Sequence, residues 1–246
     1  MVTKQRIDQL LVDRGLAETR NRAQALVLAG EVYSGTQRLD KPGTRILVDA
    51  ALEVRARSPR YASRAGGKLV AALDTFSVTV DGRVALDAGA STGGFVGVLL
   101  ERGARRVYAV DVGYGQLDLK LREDPRVVVR DRVNVRHLTA EQVPEPIELV
   151  TLDLSFISLT KVLPALVPLV VDGGTLVCLV KPQFEVGRAR VGKGGIVRDE
   201  QARQSALTTV AECAIGLGLK QVGHLDSPVH GATGNVEMLL VLEKKS

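Results

Sequence analysis

The chain has 246 residues, of which 45% are hydrophobic and 25% charged, a composition that excludes disordered and fibrous classes and allows one large domain or a large and a small one. Aromatic residues are 3% with no tryptophan, which disfavours a row of rings stacking on single-stranded bases. The net charge of +5 is concentrated at the front: residues 1–68 hold 13 Lys and Arg against 7 Asp and Glu, the remainder 20 against 21. Such a basic front suits a module that docks on phosphates ahead of one that does chemistry, and charge alone fits a plain solvated face as well.

Met1 to Arg6 lead into no apolar signal core, so export is not expected and a cytoplasmic monomer is. The two cysteines, Cys178 and Cys213, build neither a disulfide framework nor a zinc site, and no metal is expected. From Ile7 the apolar residues Ile7, Leu10 and Leu11 fall on one helix stripe that ends near Gly15. A second helix carries Ala23, Leu26 and Val27, with Thr19 as candidate cap and Gly30 as stop. Short strand-like pieces follow at 32–33, 46–48 and 52–54. The expected division is a small α+β domain over 1–58, a linker over 59–63 and a catalytic domain over 64–246.

The segment from Arg55 to Lys68 is basic and broken by Pro59. A helix starts at Lys68-Leu69, with Leu69, Leu73 and Phe76 on one side, and strands alternate with helices thereafter. Strands are expected at 84–86, 107–110, 127–129, 149–152, 175–180, 221–225 and 236–242. Seven strands in this alternation predict an α/β fold with a mostly parallel, Rossmann-like sheet, the last two forming a hairpin edge. Residues 162–180 are almost wholly apolar, but Pro164, Pro168 and Asp172-Gly173-Gly174 divide them into a helix and a strand, not a membrane span.

In such a sheet ligands bind beyond the carboxyl ends of the strands. Asp87 ends the first strand and opens the loop Gly89-Ala90-Ser91-Thr92-Gly93-Gly94-Phe95, whose glycines let backbone approach a ligand. Asp111, followed by Val112, ends the second strand where a carboxylate accepts both ribose hydroxyls, and Asp131 follows the third, in reach of an adenine. A glycine loop alone also fits a dinucleotide enzyme. A short-chain dehydrogenase needs a tyrosine with a lysine four residues on, and Tyr33, Tyr61, Tyr108 and Tyr114 lack one. The pattern therefore favours S-adenosylmethionine.

Methyl transfer to an oxygen needs the acceptor held in line and its proton removed. Lys68, Asp153, Lys181 and Glu237 stand at the starts and ends of elements that converge on one crevice, and Asp153 also borders the cofactor. Singly each has a bland role as a cap, an edge residue or a solvated charge; together they form a candidate catalytic set. Lys181 is placed nearest the hydroxyl, as base or as positioning donor, with Asp153 and Glu237 orienting it and Lys68 steadying phosphate. Asp153-Leu154-Ser155-Phe156 is similar to the Asp-Pro-Pro-Tyr loop of base amino-methyltransferases but lacks both prolines. A ring-carbon enzyme needs a cysteine nucleophile, and Cys178 lies in an expected buried strand.

These residues resemble the TlyA family of rRNA 2'-O-ribose methyltransferases, some of them labelled hemolysins, over nearly the whole chain. Arg6-Ile7-Asp8-Gln9-Leu10-Leu11, Gly15-Leu16-Ala17 and Ala29-Gly30-Glu31-Val32 resemble an S4-type RNA-binding module. Ser63 to Leu69, Asp87 to Phe95, Asp111 to Leu117, Asp153 to Leu159, Val180 to Glu185 and Gly234-Asn235-Val236-Glu237 resemble an FtsJ-like, class I methyltransferase domain. The resemblance implies a Lys-Asp-Lys-Glu tetrad at the four residues above, with cytidine riboses of ribosomal RNA as acceptors. Two departures stand out: Pro59-Arg60-Tyr61-Ala62 replaces the Arg-Ala-Trp-Val of some members, and the extra C-terminal helix of dual-target members is not present. The second points to large-subunit RNA, with small-subunit RNA as the lesser expectation.

The expected partner is thus ribosomal RNA or a ribosomal subunit, with no membrane and no protein partner, and shape and phosphates rather than stacked bases are the features to be read. Phosphate contacts are expected from Arg6, Arg20, Arg22, Arg55, Arg57, Arg60 and Arg64, and from Arg188, Arg190 and Lys193 in a glycine-rich loop that is either a lid or a solvated surface loop. A membrane-damaging hemolysin, an RNA-base N-methyltransferase and an RNA-binding scaffold without chemistry are the competing readings.

Overall fold

The computed structural model describes residues 3–17, 19–28, 30–54, 61–229, 231 and 234–245, without the side chains of Arg22 and Ala25. The chain divides into two compact units, Met1–Arg60 and Tyr61–Ser246. Arg55, Arg57 and Arg60 lie outside the described residues.

The small unit runs β1 (Lys4–Arg6), α1 (Ile7–Asp13), α2 (Arg20–Leu28), β2 (Val32–Ser34), β3 (Gln37–Leu39), β4 (Arg45–Leu47) and β5 (Glu53–Val54). Gly15 and Gly30 take positive φ just beyond the two helices, the left-handed stop that glycine adopts without a Cβ penalty. Ile7 and Leu11 from α1 meet Ala23, Leu26 and Val27 from α2 and Val32 from β2 in one core, each large side chain contributing about 1.5–3 kcal/mol on burial. β1 and β3 were not expected from sequence. Lys4-Gln5-Arg6 and Gln37-Arg38-Leu39 carry no apolar alternation, and their strand state comes from backbone pairing with β4 and β2.

The larger unit runs α3 (Gly66–Thr75), β6 (Val84–Ala88), α4 (Gly94–Glu101), β7 (Arg106–Val110), α5 (Leu119–Arg122), β8 (Val127–Arg130), β9 (Ile147–Leu152), α6 (Leu163–Leu166), β10 (Val170–Val180), α7 (Pro182–Glu185), α8 (Glu200–Gly216), β11 (Leu219–Asp226) and β12 (Met238–Lys244). Among the described residues the sheet has seven strands in the order β11-β12-β10-β9-β6-β7-β8. Strands β6 to β10 are parallel, and β12 is antiparallel to both neighbours. Successive side chains of a strand face opposite sides, so the strands feed two cores. Leu86, Val150 and Leu176 meet Leu207 and Val210 of α8 on one face, while Ala85, Leu149 and Val177 meet Leu69 and Leu73 of α3 and Leu99 of α4 on the other.

The last two strands form the expected hairpin edge: β11 and β12 pair antiparallel at one end of the sheet, with β12 between β10 and β11 and its residues Leu239 to Leu242 fully buried. One expectation is corrected. Asp172-Gly173-Gly174 does not separate a helix from a strand: β10 runs through it, with Gly173 at φ 75° and a register shift against β9 between Val170 and Thr175. Glycine lets the extra residues bulge while pairing resumes on either side. The strand order reverses between β6 and β9, and the crevice at their carboxyl ends is where ligands of such sheets sit.

Candidate active site

The loop after β6 is shaped by backbone. Gly89 has φ 87°, and its N–H donates to the Val110 carbonyl at 2.9 Å. A Cβ there would come within 2.6 Å of the Asp153 carbonyl oxygen, so only glycine lets this loop lie against the end of β9. Gly93, at φ 95°, caps α4 in the left-handed region. Asp111, just past β7, accepts the Ser91 N–H at 2.9 Å and the Gly113 N–H at 2.7 Å, which ties the first two strand ends together.

Asp87 lies inside β6 rather than ending it, and is 1% exposed. Thr151 on the neighbouring strand donates its hydroxyl to Oδ1 at 2.7 Å, and Oδ2 has no partner among the described residues. Burial, with the nearby charges of Asp153 and Asp111, pushes this carboxyl up to about 7, against the Thr151 hydrogen bond. Asp87 lines a cavity of about 270 Å³ together with Gly89, Ser91, Thr92, Asp153 and Lys181; Ala90, Gly94, Phe95 and Ser155 are also in its wall.

A second cavity, of about 500 Å³, extends past the ends of β7 and β8 and is lined by Asp111, Val112, Gln116, Val133, Asn134 and Asp153 among others. Asp131 is not among its lining residues. Its Oδ2 accepts both Nη groups of Arg122 at 2.9 Å and the Gly115 N–H at 3.2 Å, so its carboxylate holds the loop after β7. The polar side chain at that end is Asn134, whose own turn hydrogen bond to the Arg136 N–H is the signal that sequence reasoning passed over.

The four proposed catalytic residues form two ion pairs. Lys68, inside α3, places Nζ 2.6 Å from Oε2 of Glu237, both nearly buried. Lys181, just after β10, places Nζ 2.6 Å from Oδ1 of Asp153 and 3.2 Å from the Ser155 hydroxyl. Glu237 precedes β12 by one residue rather than opening the strand. Lys181 and Ser155 also border a third cavity, of about 350 Å³, with Glu237, Phe156, Gln183 and Phe184. Lys181 therefore stands in the wall between the two cavities. Lys68 lines neither and is paired with Glu237, which lines one of them.

Phe156, Gln183 and Asn235 were not singled out individually by sequence reasoning. Phe156 has φ 65° and is 91% exposed, a backbone state that costs a bulky residue energy; its ring lies 5.3 Å from that of Phe184. Asn235 is 1% exposed; its amide donates to the Gly195 carbonyl at 2.8 Å and accepts the Val197 N–H at 2.9 Å. It thereby seats the loop that carries the exposed Arg188, Arg190 and Lys193.

In the small unit, Asp8 is fully buried and accepts from Arg6 at 2.9 and 3.0 Å, Arg20 at 3.1 Å and Gln24 at 2.9 Å. The Arg6 guanidinium above all holds this carboxyl far below the usual carboxylate range. Both arginines remain part-exposed. Arg64 is exposed in the turn before α3.

A family model for an FtsJ-like methyltransferase matches residues 61–244 and one for an S4 domain matches residues 5–51. The chain is 49% identical to the 16S/23S rRNA (cytidine-2'-O)-methyltransferase TlyA of Mycobacterium tuberculosis, over 100% of this chain and 92% of that protein. It is 39% identical to a protein named Hemolysin A from Brachyspira hyodysenteriae, over 95% and 98%. A solved structure from Streptococcus thermophilus, with a provisional hemolysin label, superposes with a TM-score of 0.77 at 42% identity, covering 100% of this chain and 90% of that one. With this fold and these matches, the chain belongs to the TlyA family, in which an S4 domain precedes an FtsJ-like methyltransferase domain.

Proposed function

We propose that the chain transfers a methyl group from S-adenosylmethionine to the ribose 2'-hydroxyl of a cytidine in ribosomal RNA. The observation that carries this reading is the Lys181–Asp153 pair, which lies between the cavity of the glycine loop and the cavity walled by Phe156 and Phe184.

The residues present fit the cofactor. Asp87 has a buried acceptor oxygen without a partner among the described residues, which suits the ammonium of a methionine moiety. Asp111 and Asn134 line the adjoining cavity and suit a nucleoside. When bound, S-adenosylmethionine supplies an electrophilic methyl group on a sulfonium. Lys181 holds the acceptor oxygen in line, and the proton leaves that oxygen for the Lys181–Asp153 pair as the new bond forms. Glu237, steadied by Lys68, orients the acceptor from the other cavity.

The small unit supplies phosphate contacts through Arg6 and Arg20, and the 188–193 loop adds three cations. The name Hemolysin A of one relative keeps membrane damage as a rival; among the described residues no helix is long and apolar enough to cross a membrane. The test is incubation of purified protein with methyl-labelled S-adenosylmethionine and each ribosomal subunit from cells lacking the gene, followed by nuclease digestion and mass mapping. Label in 2'-O-methylcytidine is expected. Label in a base, or none in either subunit, overturns the reading, and lysis of liposomes by the same preparation favours the rival.

A further inference from the structure

Two loops carry the side chains that meet between the cavities, and they are tied to each other twice. The loop after β9 holds Asp153, Ser155 and Phe156; the segment after β10 holds Lys181 and, on α7, Phe184. The first tie is Lys181, whose Nζ lies 2.6 Å from Asp153 and 3.2 Å from the Ser155 hydroxyl. The second is Glu185, the last residue of α7. Its Oε2 accepts the Ser158 hydroxyl at 2.5 Å and its Oε1 accepts the Leu159 N–H at 2.9 Å. Ser158 in turn accepts the Thr160 N–H at 3.2 Å and caps the short turn Leu159–Lys161.

The two ties bracket the two rings. Asp153 and Ser158 stand on either side of Phe156, and Lys181 and Glu185 on either side of Phe184. Phe156, at φ 65° and 91% exposed, is held there neither by burial nor by its own backbone preference, and such a state persists only where the surroundings over-determine it. Glu185 is in the lining of none of the three cavities. Burial raises its carboxyl above the ordinary value, against both hydrogen bonds. A part-buried carboxylate on two neutral donors adds little net stability, which leaves the spacing of the two loops as what it supplies.

We propose that Glu185 is a positioning residue for the methyl transfer: by clasping Ser158 and Leu159 to the end of α7, it fixes the Lys181 segment against the Asp153–Phe156 loop and so aims the Lys181–Asp153 pair at the acceptor oxygen. It touches neither acceptor nor cofactor and acts through the two loops. This role rests on the functional reading above.

The test uses the full chain, methyl-labelled S-adenosylmethionine and the ribosomal subunit that wild type methylates. Glu185→Ala removes both acceptor atoms and is expected to lower the turnover number by about ten- to a hundredfold, the effect of a small misplacement of reacting groups, while KM for the subunit and cofactor affinity stay near wild type. Glu185→Gln, whose carbonyl accepts the Leu159 N–H while its amide donates to the Ser158 oxygen, is expected to restore most of the turnover. Ser158→Ala removes one of the two contacts and should slow turnover less. Adding Glu185→Ala to it should then cost less than in wild type, since residues that act through one contact are not additive; Ser158→Ala and Glu185→Gln also carry the test if Glu185→Ala does not fold. Wild-type turnover in Glu185→Ala, a Glu185→Gln enzyme as slow as Glu185→Ala, cofactor affinity lost in step with turnover, or full additivity with Ser158→Ala overturns the role while leaving ribose methylation by wild type intact. Wild type that methylates no ribose overturns the functional reading and the role together.

Discussion

Asp8 in the small unit and Asp87 in the larger one are both nearly inaccessible carboxylates, yet they are opposites. Asp8 accepts four hydrogen bonds, from Arg6, Arg20 and Gln24, spread over both oxygens, and ionises far more readily than a free carboxyl. Asp87 accepts the Thr151 hydroxyl on one oxygen, has no hydrogen-bond partner for the other among the described residues and has a carboxyl pushed up to about 7. A satisfied charge holds a fold together, whereas an unsatisfied one at the mouth of a cavity waits for a ligand. The same contrast separates Lys68, closed on Glu237, from Lys181, which borders two cavities.

The sharpest way to break the contrast is Lys181→Ala. It is expected to lower the turnover number by about a hundred- to ten-thousandfold while calorimetry shows cofactor affinity near wild type; an active variant removes Lys181 from the chemistry. Asp87→Asn should next weaken cofactor binding by roughly ten- to a hundredfold with no loss of melting temperature. Asp8→Ala should do the reverse, costing the small unit about 2–3 kcal/mol in hydrogen-exchange protection and leaving cofactor affinity alone. Equal effects of the two aspartates on folding would dissolve the distinction.

pH separates them further. The folded carboxyl of Asp87 lies above its ordinary 3.8 at about 7, so the stability linked to it is full below pH 4 and is lost as pH rises through 7. Asp8 is lowered, so its contribution is present above the ordinary carboxylate range and fades as pH falls below it. Exchange protection of β6 and of α1, followed over pH 3 to 8, should move in opposite directions. The smallest effect expected is from Arg20→Gln, which should flatten the salt slope of RNA binding by about one unit.

Much of the site could be read from sequence because apolar runs end in polar residues where parallel strands end. Asp111, Asp153 and Lys181 were legible for that reason. The continuation of β10 through Asp172-Gly173-Gly174 was not, since such residues read as a turn whether they end a strand or bulge within it. The Arg122 partner of Asp131 was not legible either, because a carboxylate at a strand end looks alike in sequence whatever cation it faces. Gln183 was invisible individually: only packing shows that its side-chain oxygen is buried without a hydrogen-bond partner among the described residues.

The ion pair between Lys68 and Glu237 joins residues 169 positions apart. Because β12 slots between two strands made before it, synthesis from the amino terminus leaves the cavity that Glu237 lines without that wall until almost the whole chain has emerged. The small unit, whose pairings all lie within residues 4–54, needs no such wait. Contacts over long chain separations close late and slowly, so the small unit can complete its own pairings while the Lys68–Glu237 pair waits for the last strand.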